Sequence, residues 1–504
     1  MSQKENDFSK VRGALWPIHN FELKKFLPMG LMMLCILFNY TMMRDTKDAL
    51  LASAPNSSTE IFNFIKFFIV MPSAVLFVIM YAKLTNLLSR ASLFNWLVGV
   101  FISFFGIFGY LLYPNIDILH PSAEVIQTLQ TSYPSLYFPI AMYGNWTFVL
   151  FYMMSELWGS VMISLLFWQF ANEITRTHEA KRFYAMFGLI ANLALIFSGW
   201  TVHHFSDIKD KLPAGVDPWS ISLKYLMAFI VIAGLVTIYI NVWMEKNVLT
   251  DPRYYDDVEP KKKKKDKPKL SIGESFRYIV SSPYIGFIAV LVLAYGMSIN
   301  LIEVVWKKQI KLNFHGNAND INAFMGMFSM FTGTATIFLI LFTKGIVRRY
   351  GWFTGAIITP IMIAVTGGLF FFFIFSRDSL GPIMDNFGIS IVAAAVYLGM
   401  IQNILSKGTK YSLFDPTKEM SYIPLDPELK VKGKAAVDVI GGRLGKAGGS
   451  IVTITLLTVF AQNDIMMLLL PLVAFIALVI MAWVWAATRL SKLYNALLKN
   501  KYHC

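Results

Sequence analysis

Two cysteines stand in the 504 residues, Cys35 inside an apolar run and Cys504 at the last position. Neither has a plausible partner for a disulfide or a metal cluster, and a lone terminal Cys is not a prenylation box. Charge is scarce as well. Asp, Glu, Lys and Arg make up 15% of the chain, where an ordinary soluble domain carries roughly a quarter. Acidic residues are the scarcer sign, 31 against 45 basic, which leaves a formal charge of +14. In a soluble protein that excess would point to nucleic acid. In a chain that is 56% hydrophobic and 15% aromatic it points to Lys and Arg gathered in cytoplasmic loops, with no nucleic-acid partner. No cleavable leader is expected either, since residues 1–25 are polar and mixed in charge, and the first span is expected to stay as an uncleaved anchor.

What the chain does have is long apolar runs. A helix needs about 20 mostly apolar residues to cross a bilayer, and about twelve runs approach that length. They fall at residues 26–43, 61–80, 93–112, 140–170, 183–202 and 225–243, then 284–306, 321–342, 352–375, 387–405, 435–460 and 465–486. With the N-terminus inside, the tails and even-numbered connections hold 33 of the 45 Lys and Arg, and the outer connections hold 9. Both termini are therefore predicted to be cytoplasmic. The expected division is a cytoplasmic segment 1–25, a six-helix bundle 26–244, a basic linker 245–283, a second six-helix bundle 284–488 and a cytoplasmic tail 489–504. The linker contains KKKKKDKPK, residues 261–269, which reads as a solvated stretch near anionic headgroups.

The halves resemble each other. MYAKLTNLLSRASLF follows the second span and LFTKGIVRRYGWF the eighth; Lys83 and Lys344 stand 261 residues apart, as do Asn39 and Asn300. A six-span unit used twice, with substrate bound near mid-membrane where the halves meet, is the pattern of major-facilitator-type carriers. The expected fold is an all-α polytopic membrane protein of about twelve helices in two bundles.

An ionisable group near mid-bilayer costs roughly 2.5–3.5 kcal/mol on insertion scales, so each one is a functional candidate. Glu156 lies halfway along the fourth span, and Asn145, Tyr152, Glu156 and Ser160 share one helical face. In the eleventh span AAVDVIGGRLGKAGGS places Gly441, Gly445 and Gly449 at every fourth position, a stripe for close helix packing. Asp438 and Lys446 share another face, with Arg443 nearby. This is not a Walker loop, because Ile440 and Ala447 stand where that motif needs Gly and Ser or Thr. In the seventh span Glu303 precedes Lys307 by four, the order of a helical ion pair. In NYTMMRDTKDALL, residues 39–51, Arg44 is placed to pair with Asp48, leaving Lys47 without a local partner. Clustered cations suit a polyanion, an adenine could stack on an aromatic ring, and Asn192 in LIANLALIF could read a base edge or simply hold helices together.

These residues lie in stretches that resemble the ATP/ADP antiporter (nucleotide transporter) family of obligate intracellular bacteria and plastids. The stretches are WPIHNFELKKFLPM, NYTMMRDTKDALL, YMMSELWGSVMISLLFWQFANEIT, THEAKRFYAMFGLIANLALIFSG, EVVWKKQIKL, YSLFDPTKEMSYIPLD and KGKAAVDVIGGRLGKAGGS. They span nearly the whole membrane core. The resemblance implies exchange of external ATP for internal ADP in the inner (cell) membrane of a bacterium, with Lys47, Glu156, Glu303 and Lys446 concerned in transport. One departure is Val304, where the family often has Arg after the glutamate. Some members also move phosphate or protons. On this reading Lys47 and Lys446, assisted by Arg443, hold the phosphate chain. Glu156, Glu303 and Asp438 serve gating or coupling, and Asn192 and Tyr152 face the nucleobase. No cofactor, metal or hydrolytic step is called for, and the carrier is expected to act as a monomer. The alternatives are a proton-coupled net importer of nucleoside triphosphates and a membrane enzyme acting on phosphorylated lipid-like substrates.

Overall fold

The computed structural model describes residues 12, 16–213, 215–254, 282–343 and 345–502. The basic run 261–269 and Lys344, one landmark of the repeat, lie outside the described residues, as do the side chains of Asp438, Arg443 and Lys446. Among the described residues eleven helices are long and apolar enough to cross a membrane. They are α1 (Asn20–Ser53), α2 (Ile61–Leu87), α3 (Arg90–Leu119), α4 (Trp146–Ile174), α5 (Arg182–Ser206, continuous with a turn begun at Thr177), α6 (Pro218–Asn247), α7 (Pro283–Asn313), α8 (Ala318–Thr343), α9 (Trp352–Phe375), α10 (Ile391–Ser421) and α12 (Ile465–Lys499). The eleventh apolar run falls in α11, Pro427–Val459, a 33-residue helix in which the described stretch Ala447–Val459 is apolar. Twelve helices thus answer to the twelve runs.

Backbone groups in hydrocarbon must be satisfied within the segment, which is why these runs are helical. Their starts follow from local chemistry. Asp217 accepts from the Trp219 and Ser220 amides, and Pro218 occupies the first helical position, where no N–H is needed. Ser282 and Pro283 open α7 in the same manner. The run at 140–170 is not one helix. It breaks at Asn145, whose amide nitrogen donates to the Pro55 and Ala141 carbonyls, between a short helix Tyr137–Gly144 and α4. Asn145 therefore ties a loop and does not continue the polar stripe of Glu156. Helix α12 runs on through residue 502, into the stretch expected as the tail. Four spans widen into π-helical turns, at Ile65–Val70, Phe108–Leu112, Gly159–Phe167 and Lys410–Phe414, a distortion that often marks functional sites.

The packing repeats between halves. Helix α1 lies on α5 and α6, and α7 lies on α11 and α12. Where the halves meet, α5 runs along α8 and α2 along α11. Helices in lipid gain little from burying apolar surface against one another, so small residues that admit close backbones decide such contacts. At α5–α8, a Cβ on Gly199 would stand 2.5 Å from the Gly326 carbonyl oxygen. At α7–α11, a Cβ on Gly296 would stand 2.9 Å from the Gly445 Cα. The glycine stripe of the eleventh span is thus a packing surface at Gly445.

Both described chain ends lie at one end of the bundle. There Lys25 at the start of α1 is buried against Glu179 (2.7 Å) and the Tyr254 carbonyl, and Arg182 grips Glu22. The turn after α6 is pinned by Arg253, whose guanidinium holds the Asp251 carboxyl down at about 2.

Candidate functional site

Between the halves lies a cavity of about 1700 Å³, lined from α1, α2, α4, α5, α7, α8 and α10 and by Ala447 of α11. It reaches the end that bears the termini, where Pro17, Tyr184, Thr343 and Tyr411 form its rim. Its wall is mostly apolar and aromatic, yet among the described residues six basic side chains face it against three carboxylates. The cations are Arg44, Lys47, Lys66, Lys307, Lys407 and Lys410; the anions are Asp48, Glu156 and Glu303.

Lys47 sits at the centre of this set. Its Nζ is 3.0 Å from Asp48 Oδ1 and 3.1 Å from Glu156 Oε1, and 3.8 Å above the Tyr152 ring. The second oxygen of Asp48 lies 2.8 Å from Lys307, on the opposite half. Glu303 pairs with Lys407 of α10 at 3.2 Å, and Lys407 also stands over Phe328. Arg44 pairs with Asp45 at 3.0 Å and donates to Ser329 Oγ on α8. Lys410 pairs with Asp415. Among the described residues Lys66, on the widened turn of α2, has no ion-pair partner.

Three expected pairings are therefore corrected. Arg44 takes Asp45, not Asp48. Lys47 is held twice over, not left free. Glu303 takes Lys407 across the bundle, while Lys307 reaches Asp48. A helical i, i+4 pair in water is worth only a few tenths of a kcal/mol, whereas a charge turned into a shared cavity needs whatever partner stands nearest. For Arg44 that is the next residue of its own helix, for Lys47 the next residue together with Glu156 of α4, and for Glu303 and Lys307 a side chain on another helix.

Of the sequence candidates, Lys47, Glu156, Glu303 and Asn192 line the cavity. Asn192 donates to the Gly188 carbonyl of its own helix at 2.9 Å. Tyr152 is fully buried behind Lys47, stacked on Phe62, and supplies its ring face to the ammonium. For Asp438, Arg443 and Lys446 only the backbone is described, within α11. Sequence reasoning passed over Lys66, Lys407 and Lys410 and gave Lys307 and Asp48 only local partners. The signal for Lys66 was present, a lysine inside an apolar run.

At the far end the halves are bonded together. Lys308 reaches Glu60, which also accepts from the Ile465 amide. Lys311 donates to the Ser57 carbonyl, Lys209 pairs with Asp320, and Asn319 donates to Ser206 and Ser222. The cavity is closed there and approachable from the terminal end.

Comparison with known proteins matches residues 1–494 to the family described as TLC ATP/ADP transporter. The chain is 51% identical over 494 residues to ADP,ATP carrier protein 1 of Chlamydia trachomatis serovar D, covering 98% of this chain and 93% of that one. It is 46% identical over 478 residues to the chloroplastic ADP,ATP carrier protein 1 of Arabidopsis thaliana, covering 94% and 74%. Among solved structures, the inward-open xylose transporter XylE from E. coli superposes with a TM-score of 0.55 at 12% identity, covering 92% of this chain and 94% of that one. At that identity the likeness is one of fold, a major-facilitator-like arrangement.

Proposed function

We propose that this chain, which belongs to the TLC ATP/ADP transporter family, exchanges external ATP for internal ADP by alternating access, with cavity lysines holding the phosphates. The observation that carries the reading is the excess of cations in a cavity shared by both halves. Lys66, which has no ion-pair partner among the described residues, makes the first contact, since a phosphate gains it without displacing a carboxylate. Lys47, Lys307 and Lys407 then exchange Asp48, Glu156 and Glu303 for phosphate oxygens through charge-assisted hydrogen bonds. Lys446 and Arg443 join them as ligands on the strength of the sequence. Glu156 and Glu303 are the partners that keep Lys47 and Lys407 neutralised while the site is empty. Closure around nucleotide follows only if the occluded state binds it better than the open one.

With the termini in the cytoplasm of a bacterium, the cavity faces the side where ADP accumulates, and one chain forms a complete path. The test is uptake of labelled ATP into vesicles preloaded with ADP, GTP or phosphate, or left empty. Uptake that needs internal ADP is the expected result. Equal uptake into empty vesicles, rising with an inward proton gradient, would overturn exchange in favour of net import. Lys446→Gln is expected to weaken ATP affinity; unchanged exchange and affinity would remove that lysine from the site.

A further inference from the structure

Asp48 belongs to two structures at once. Its Oδ1 meets Lys47 at 3.0 Å and its Oδ2 meets Lys307 at 2.8 Å. One carboxylate thus ties α1 to α7 while both of its cations face the cavity. It is only 5% exposed. Further along the same helix, Lys308 reaches Glu60 and Lys311 reaches the Ser57 carbonyl. Three lysines of α7 therefore form a row that begins in the site and ends in the far-end closure. The first of them shares its partner with Lys47.

A carboxylate buried between two cations is stable only while both remain. A polyphosphate in the cavity offers Lys47 and Lys307 more negative charge than one carboxylate does. We propose that Asp48 is a positioning residue that makes exchange obligatory: nucleotide phosphates take Lys47 and Lys307 from it, and the far-end closure is released by that substitution. Without nucleotide the bridge stays made, the halves stay latched, and the empty carrier cannot turn over. The inference rests on the exchange reading above.

The full-length chain in vesicles tests it. Wild type should take up labelled ATP with internal ADP and little without. Asp48→Asn should raise uptake into empty vesicles by about tenfold or more, because removing one member of a desolvated charge triad favours the parted halves, while ADP-driven uptake falls. A merely structural role would lower both together and overturn the proposal. A second readout is independent of transport. In a chain with Cys35→Ser and Cys504→Ser, Ser57→Cys should be shielded from an impermeant thiol reagent at the far end. Adding ADP at the terminal end should expose it. Asp48→Asn, or Lys307→Gln should the former fail to fold, should expose it with no nucleotide present. Continued shielding in both variants overturns the latch. Should wild type need no internal ADP, the exchange reading falls, and the labelling still decides the latch by itself.

Discussion

Single charges carry this site, and they can be tested singly. Lys66→Gln should raise the KM for ATP by about tenfold or more, since a hydrogen bond to a charged group is worth roughly 1.5–3 kcal/mol, with folding undisturbed; uptake against ATP concentration measures it. Lys407→Gln should cost about 2 kcal/mol in a detergent unfolding experiment, discounted from a fully buried pair because Glu303 keeps 21% side-chain exposure. Adding Glu303→Gln should recover part of that loss, the coupling expected of a true pair. Lys47, Glu156 and Glu303 were legible in the sequence because a charge inside an apolar run needs a reason. Lys307, Lys407 and Lys410 were not singled out as site residues, for they stand close to span ends where water normally satisfies a lysine. Only the fold shows that those ends turn inward to the cavity. The pairings of Glu303 and Lys307 failed for a related reason, as spacing along one helix says nothing of the partner on the next.

At the scale of elements, the contact between α5 and α8 depends on two glycines. Gly199→Val would push its side chain into the Gly326 carbonyl, and overpacking of this kind costs typically about 1–3 kcal/mol. Because that contact lies toward the closed end, the variant should lower both thermal stability and the exchange rate. Gly99→Ala on α3, with nothing within 4 Å of the added carbon, should change neither. The existence and order of the twelve helices could be read from apolar runs, and residues 352–375 match α9 to the residue. Ends were misjudged where a polar residue caps or a turn widens. Asn145 splits a run that looks continuous, and α10 passes through its π-helical turn to Ser421 although the apolar run stops at 405. Hydropathy does not register either feature.

For the whole molecule, exchange of ATP for ADP moves about one charge, so a potential of 100 mV should bias it by about 2.3 kcal/mol. ATP accumulation in ADP-loaded vesicles under imposed potassium-diffusion potentials measures this. Indifference to voltage would mean that a compensating anion such as phosphate travels too. The two-fold use of a six-helix unit was visible in paired landmarks 261 residues apart, and it reappears as α1 on α5 and α6 against α7 on α11 and α12. Which end stands open was not visible, because the bonds that decide it join residues hundreds of positions apart, such as Glu60 and Ile465. That asymmetry has a pharmacological side. A rigid aromatic polyanion that fits the cavity from the terminal end, but is too broad for the halves to close around, would act as a wedge. It would compete with the nucleotide of one compartment alone and hold every carrier it enters in a single posture.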